Sequence, residues 1–97
     1  MQRDINKLYF VRMKEISVQA DEATEKFAVS NSLDRLIHFI KITNARNHPV
    51  LFHEFSDTES ITCSEDAYNY FFSKMEKGIY CGNISAYNML RYMAKLV

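Results

Sequence analysis

Residues 61–78 have the sequence ITCSEDAYNYFFSKMEKG and contain the clearest helix signal in the chain. Thr62 and Glu65 have the spacing of a capping box, in which each side chain accepts a hydrogen bond from the other residue's backbone N–H. Gly78 follows a basic last turn, as a glycine just past a helix end does. The pattern predicts a helix near 63–77. The side chains expected to face inward recur with a helical period: Tyr68, Phe71, Phe72 and Met75.

A second helix is predicted after a connector at residues 79–82. Asn83 can cap this helix at its N-terminus. We expect the helix to extend over residues 84–96, so that the chain ends in a hairpin of two helices. Its apolar residues lie along one side: Ala86, Met89, Leu90, Met93 and Val97.

Residues 1–48 contain neither glycine nor proline and allow two interpretations. An apolar stripe from Ile5 to Phe27, with spacings of three and four residues, fits one long helix. The second interpretation is a β-hairpin, because residues 8–11 are aromatic and β-branched and the residues around them alternate in polarity. This hairpin has strands near 7–18 and 24–30, a turn over 19–24, and a bulge where the alternation changes at Ile16.

A loose internal similarity favours the hairpin. Residues 29–36 (VSNSLDRL) align with residues 61–68 (ITCSEDAY), each with a β-branched residue, a hydroxyl-rich cap, an acidic turn and an apolar helix. Helix caps resemble one another in many proteins, so this is a pattern hint and not a demonstrated repeat. It predicts a helix near 33–45 with an inward stripe of Leu33, Leu36, Ile37 and Ile40.

The remaining strand follows the one proline in the sequence. Pro49 disfavours helix at the residue before it. Residues 50–56 alternate as a strand, and Ile61 fits a short return strand. The predicted order is ββα-ββαα, a small single α+β domain over residues 1–97 with an antiparallel sheet, helices on one face and a terminal αα-hairpin. The alternative is an all-α helical bundle.

The composition excludes several classes of protein. Twelve basic and twelve acidic residues give a net charge of zero, so no global field attracts nucleic acid or membrane. No apolar run approaches the roughly 20 residues that span a bilayer. The start at residues 1–4 leads into no signal-peptide core. We expect a cytoplasmic, soluble protein without a membrane partner.

Residues capable of catalysis or metal binding are present but scattered. His48, His53, Cys63 and Cys81 contain no closely spaced ligand pair of the kind that starts a zinc site. No serine is surrounded by the glycines of a nucleophile elbow. Both glycines lie near the C-terminus, which leaves no glycine-rich phosphate loop. We therefore expect no catalytic residue, no metal, no cofactor and no enzyme activity.

The surface residues favour binding to another protein. Several tyrosines lie off the predicted core stripes, and tyrosine is enriched in interfaces. Residues 54–66 contain five acids and no base, which suits a basic partner surface. We predict a non-enzymatic protein-binding adaptor, inhibitor or regulator, with a homodimer as another arrangement; analogy suggests a phage or mobile-element inhibitor. The predicted binding residues are Tyr70, Tyr80, Tyr87, Tyr92, Glu59, Glu65 and Asp66.

The alternative function is a nucleic-acid-binding transcriptional regulator. The end of the first predicted helix is basic and rich in amides, and such side chains contact phosphates. These cations can also be explained without a ligand, because positive charge is favourable at the C-terminal end of a helix dipole. The residues concerned are Lys41, Asn44, Arg46 and His48.

Overall fold

The computed structural model of the chain describes residues 6–94. The strands are β1 (Lys7–Ser17), β2 (Glu22–Ser30), β3 (Leu51–Phe55), β4 (Glu59–Thr62) and β5 (Tyr80–Asn83). The helices are α1 (Leu33–Ala45), α2 (Glu65–Lys74) and α3 (Ile84–Ala94). The predicted α+β class with an antiparallel sheet is confirmed, and the all-α alternative is wrong.

β1 is the central strand of the sheet. β2 pairs with one side of β1 along almost its whole length. The other side of β1 pairs with β4 at its N-terminal half and with β3 at its C-terminal half. β5 pairs with the far side of β2 and forms an edge of the sheet. All of these pairings are antiparallel.

The predicted β-hairpin is confirmed, with a shorter turn than expected. β1 and β2 are joined by residues 18–21, which follow the last pair, Ser17 and Glu22. Asp21 has φ 52°, in the left-handed region that aspartate tolerates better than most residues. The pairing of β1 with β2 keeps one register throughout, so the bulge predicted near Ile16 is wrong.

An extra residue is present instead in the strand opposite β1. Phe10 pairs with Glu59 and Met13 pairs with Phe55. Between these two pairs, β1 has two residues and the opposite segment has three. This is the geometry of a β-bulge. Ser56 bridges it, because its Oγ accepts a hydrogen bond from the Arg12 backbone N–H at 3.0 Å.

Both faces of the sheet carry an apolar core. One face packs against α2 and α3, and its buried residues are Leu8, Phe10, Phe27, Val29, Cys63, Ala67, Phe71 and Leu90. The opposite face packs against α1 through Val11, Ala28 and Leu36. The helices therefore differ from the expected arrangement on one face: α1 lies on one side of the sheet, and α2 and α3 lie on the other.

The helix starts use the cap residues that the internal similarity aligns. Ser32 Oγ accepts from the Arg35 backbone N–H at 3.4 Å, and Ser64 Oγ accepts from the Ala67 backbone N–H at 3.2 Å. The prediction of Thr62 as the cap of α2 is therefore wrong. The cap of α3 is confirmed, since Asn83 Oδ1 accepts from the Ala86 N–H at 3.1 Å. The bounds of α1 agree with the prediction.

Several predicted inward residues are exposed, because each helix contacts the sheet through a narrow stripe. Phe72 is 50% exposed and stacks on Tyr68, with ring centroids 5.7 Å apart. Met89 on α3 is also exposed, as are Leu33 and Ile37 on α1. These assignments to the core are wrong. The predicted inward side chains of Met93 and Val97 lie outside the part of the chain that the structure describes.

A strand separates the two C-terminal helices, so they do not form the expected αα-hairpin. After α2 the chain makes a tight turn in which Glu76 and Ile79 exchange backbone hydrogen bonds of 2.8 and 3.1 Å. The central residues Lys77 and Gly78 have φ 56° and 85°. Positive φ at both positions is the requirement of a type I′ turn. Gly78 therefore serves this turn and not the end of α2.

Side chains from the end of β2 and the start of α1 hold this turn in place. Ser30 is fully buried, and its Oγ donates to the Gly78 carbonyl at 2.6 Å and accepts from the Ser32 N–H at 3.0 Å. Arg35 Nη1 donates to the Lys77 carbonyl at 3.2 Å. These contacts fix the distance between α1 and the strand that follows the turn.

The turn supplies a matched pair of substitutions. Gly78→Ala places a Cβ 2.6 Å from Arg35 side-chain atoms at a residue with positive φ. We expect it to lower the free energy of unfolding by about 1–2 kcal/mol. Lys77→Gly relieves the strain of a positive φ in the folded state but raises the conformational entropy of the unfolded chain. Because these effects oppose each other, we expect the free energy of unfolding to change by less than about 0.5 kcal/mol. Urea unfolding of both variants tests this, and equal stabilities would contradict the assigned turn.

Candidate functional site

An open groove of about 860 Å³ lies between α1 and β5. Its apolar side chains are Phe39 and Ile42 on α1 and Ile79 on the opposite wall. Tyr80 also borders it, but the Tyr80 ring packs on Phe27 at the other face of the sheet. The volume falls within the range of about 300–1,000 Å³ found for ligand pockets. The other lining residues are Asp34, Arg35, His38, Glu76, Lys77 and Cys81.

Secondary-structure periodicity positions the two walls. Positions 35, 38, 39 and 42 recur at the spacing of one side of a helix, so this side of α1 faces the groove. Cys81 pairs with Ala28, which faces α1, so the Cys81 side chain lies on the same face of the sheet. Desolvation raises the pKa of the Cys81 thiol, although Lys26 partly opposes this. The desolvation thus disfavours the thiolate form of Cys81.

The backbone edge beside the groove is open. β5 pairs with β2 on one side, and no strand within residues 6–94 pairs with its other side. An unpaired strand edge presents N–H and C=O groups that can bind another strand. The β3 edge is different, because the His53 backbone N–H donates to Asn47 Oδ1 at 3.0 Å. The β5 edge thus combines an open backbone with an adjacent apolar groove.

The four predicted tyrosines divide into two pairs. The rings of Tyr80 and Tyr87 lie 6.0 and 5.9 Å from the buried Phe27 ring and pack against the core. The expectation that they stand clear of the core is wrong, because β5 and α3 bring them over Phe27. Tyr70 and Tyr92 are exposed, Tyr92 by 64%. Lys74 Nζ lies 4.9 Å from the centre of the Tyr70 ring.

The predicted acidic residues are also divided. Glu59 lies on β4, and its Oε1 is 3.8 Å from Arg91 Nη1. Glu65 and Asp66 lie exposed in the first turn of α2, where the helix dipole favours negative charge. Asp66 and Tyr70 are four residues apart and therefore neighbours on α2. The acids nearest to an exposed tyrosine thus belong to the start of α2.

The residues of the alternative nucleic-acid site are exposed at the end of α1. Two of them make local hydrogen bonds: Asn44 Oδ1 accepts from Asn47 Nδ2, and His48 Nδ1 accepts from the Val50 N–H, both at 3.3 Å. Lys41 and Arg46 remain as the cations of this surface. Two cations provide a small electrostatic attraction for a nucleic acid.

The cysteines and histidines do not converge. Cys63 is buried, its Sγ donates to the Asn6 carbonyl at 3.2 Å, and burial raises the pKa of its thiol. Across residues 6–94, no cluster of three or more histidine, cysteine, aspartate or glutamate side chains could hold a metal ion. Within the same range no helix is long and apolar enough to cross a membrane.

Sequence reasoning missed a polar cluster on the α1 face of the sheet. Glu15 Oε2 lies 3.2 Å from His53 Nε2, and Glu15 Oε1 lies 3.4 Å from Lys26 Nζ. The hydrogen bond from His53 lowers the pKa of Glu15, and Lys26 adds to this effect against partial burial. Glu15 and His53 are direct cross-strand partners, so correct pairing of β1 with β3 would have indicated this contact.

Comparison of the chain with protein-family models, with curated proteins and with solved structures finds no match.

The two tyrosine pairs give a direct test of their different roles. Tyr80→Ala and Tyr87→Ala remove rings that contact Phe27, and we expect each to lower the free energy of unfolding by about 2–4 kcal/mol. Tyr70→Ala and Tyr92→Ala change exposed rings and should alter it by less than about 0.5 kcal/mol. Urea unfolding curves measure all four, and similar losses in both pairs would contradict this division.

Proposed function

We propose that this chain is a non-enzymatic protein-binding domain, an adaptor, inhibitor or regulator, that binds an extended segment of its partner beside β5. One observation carries the proposal: the open edge of β5 and the apolar groove lie side by side. An extended segment could form backbone hydrogen bonds with the edge and insert side chains into the groove. This is strand addition, a recurrent mode of peptide recognition.

The geometry also defines the chemistry of the bound segment. Side chains of an added strand alternate between the two faces of the sheet. Those on the α1 face would meet Phe39, Ile42 and Ile79, so we expect apolar residues at every second position. The charged residues that line the groove include the acids Asp34 and Glu76 as well as the bases Arg35 and Lys77. Selectivity would therefore come mainly from apolar side chains.

The groove is better suited to binding than to catalysis. A cysteine nucleophile acts as a thiolate, and desolvation raises the pKa of the Cys81 thiol, which disfavours that form. Arg35, one of the cations that line the groove, already donates to the Lys77 carbonyl. Cys63 and Cys81 are both free thiols, which suits the reducing cytoplasm that we propose as the site of action.

The exposed aromatic residues of α2 and α3 support a larger protein interface. Tyr70, Phe72, Met89 and Tyr92 are large apolar side chains at the surface. Such residues are enriched in the centres of interfaces. Glu65 and Asp66 at the start of α2 would favour a basic region of the partner. These side chains are compatible with a partner that contacts the domain beyond the groove.

Nucleic-acid binding is the weaker proposal. Asn44 and His48 are engaged in local hydrogen bonds, which leaves Lys41 and Arg46 for phosphate contacts. Binding through these cations would fall steeply with rising salt, since released counterions drive it. A segment bound through apolar side chains and backbone hydrogen bonds would depend less on salt.

Two isoleucines on α1 allow a matched test of the groove. Ile42 lines it and is 38% exposed, whereas Ile37 is 37% exposed and lies outside it. Random peptides displayed on phage would be selected on the wild-type domain and then measured against each variant. We expect Ile42→Glu to weaken binding by roughly 30-fold, the effect of about 2 kcal/mol, and Ile37→Glu by less than about 3-fold.

Hydrogen exchange completes this experiment. The selected peptides should slow exchange of backbone amides within residues 80–83, because strand addition pairs the β5 edge. Peptides that bind Ile42→Glu as well as the wild type would contradict the groove as the site. If their binding instead requires Tyr70 and Tyr92, the interface lies on α2 and α3.

A further inference from the structure

The backbone groups of successive residues in β1 point to opposite sides of the strand. In an antiparallel sheet, a residue that is hydrogen-bonded to its partner directs both its N–H and its C=O toward that partner. The Arg12 N–H donates to Ser56 Oγ and the Arg12 carbonyl accepts from the Ser56 N–H, so Arg12 faces the side of β3 and β4. The Val18 N–H, which donates to the Val50 carbonyl, faces the same side. Odd-numbered residues of β1, including Val11, therefore face β2.

The same alternation continues through β2 into β5. Val11 pairs with Ala28, so Ala28 faces β1 and its neighbour Phe27 faces β5. Phe27 pairs with Gly82, so the backbone groups of Gly82 face β2. Cys81 pairs with Ala28, whose backbone groups face away from it, and this pair is not hydrogen-bonded. The N–H and C=O of Cys81 thus point outward, to the open edge of the sheet.

Neighbouring parts of the chain limit this edge at both ends. Ile79 also faces outward, but its N–H and C=O bond to Glu76 at 3.1 and 2.8 Å. At the other end, Asn83 caps α3 with its side chain, so its carbonyl belongs to the first turn of the helix. Within β5, Cys81 is thus the residue that offers both an N–H and a C=O to an added strand, and Asn83 adds one N–H.

The side chain of Cys81 connects this edge to the groove. It lies on the α1 face of the sheet and lines the groove. In a hydrogen-bonded antiparallel pair the two side chains lie on the same face, with Cα atoms about 5.5 Å apart. A residue hydrogen-bonded to Cys81 would therefore direct its side chain into the groove beside Ile42 and Ile79. The residues before and after it would direct theirs to the opposite face.

Antiparallel pairing suits this edge better than parallel pairing. In an antiparallel pair one residue exchanges both hydrogen bonds with Cys81, whereas in a parallel pair the two bonds go to residues on either side of the facing position. One of those residues would lie toward Ile79, where Glu76 already occupies the edge. An antiparallel segment therefore needs less of the edge.

Building on the proposed function, we propose that Cys81 sets the register of an antiparallel segment bound beside β5. One residue of the segment, the anchor residue, exchanges two hydrogen bonds with the Cys81 backbone and places an apolar side chain in the groove. Toward Ile79 the segment ends or leaves the sheet, because Glu76 occupies that side. Toward Asn83 it accepts one more hydrogen bond, from the Asn83 N–H. The site thus takes a short segment with one fixed anchor position.

Amide hydrogen exchange of the free domain tests the backbone directions without a ligand. The N–H groups of Tyr80 and Gly82 bond to β2, whereas that of Cys81 points outward. After correction for intrinsic rates, the Cys81 amide should exchange at least roughly 5-fold faster than the Gly82 amide. A Cys81 amide that is protected as strongly as that of Gly82 would overturn the proposal.

Backbone methylation of the phage-selected peptides locates the anchor residue. Each peptide receives one N-methyl group at successive positions, and each methyl group removes one N–H donor. Methylation of the anchor residue should weaken binding by roughly 5-fold, the effect of one lost hydrogen bond. Methylation of either neighbour, whose N–H points away from β5, should weaken it by less than about 2-fold. Equal losses at three consecutive positions would contradict a fixed register.

Disulfide trapping shows which peptide residue lies opposite Cys81. Each peptide carries one cysteine, joined as a disulfide to a small thiol, and exchange with Cys81 releases that thiol and links the peptide to the domain. A Cα separation of about 5.5 Å fits the range of about 4.4–6.8 Å found for disulfides. The anchor position found by methylation should therefore be trapped at least roughly 10-fold more than its neighbours. Cys81→Ser is the control and should trap no peptide, because Cys63 is buried.

The outcomes separate the register from the proposed function. Trapping spread evenly over several positions, with binding still weakened by Ile42→Glu, would overturn the register and leave the proposed function standing. Peptides that bind Ile42→Glu as well as the wild type, and are not trapped by Cys81, would overturn both.

Discussion

The pairing of β1 with β2 is the constraint on which the rest of the structure depends. Phe10 lies opposite Val29 on one face, and Val11 lies opposite Ala28 on the other. A slip of one residue would move each of these side chains to the wrong face. Because both faces are buried, two separate cores depend on this one register, with α1 on one face and α2 and α3 on the other.

This arrangement leaves the two edges of the sheet in different states. At one edge, Asn47 accepts a hydrogen bond from the His53 backbone N–H of β3. The His53 ring in turn contacts Glu15 on β1. The β5 edge is open and has α1 beside it, at a spacing fixed by the contacts from Ser30 and Arg35 to the turn at residues 76–79. The proposed peptide site thus lies at the edge opposite the one that Asn47 covers.

Local patterns predicted the elements better than their arrangement. The bounds of α1, the β1–β2 hairpin and the Asn83 cap follow from residues close together in the sequence. The alignment of residues 29–36 with 61–68 places Ser32 opposite Ser64, and these are the observed caps. Thr62 offered an equally good capping pattern two residues earlier, so local reasoning alone could not choose between them.

The candidate site could not be predicted in the same way, because its parts come together only in the folded chain. Periodicity placed Phe72 and Met89 on the apolar faces of α2 and α3. Both are exposed, because only a narrow part of each apolar face contacts the sheet. Tyr80 and Tyr87 lie over Phe27 because β5 pairs with β2, a contact between segments about fifty residues apart. The groove joins α1 to β5 across a similar separation. Neither contact leaves a periodic signal in the sequence.

Nuclear Overhauser contacts from methyl groups test the central claim, which is that α1 lies on the face opposite α2 and α3. The account predicts contacts from the Leu36 methyls to Val11 and Ala28, and contacts from the Tyr87 ring to Phe10 and Phe27. It predicts no contact from Leu36 to Phe10 or Phe27. Contacts from both Leu36 and Tyr87 to the same side chains of β1 or β2 would place all three helices on one face. That result would contradict the two-faced sheet and remove the groove on which the proposed function rests.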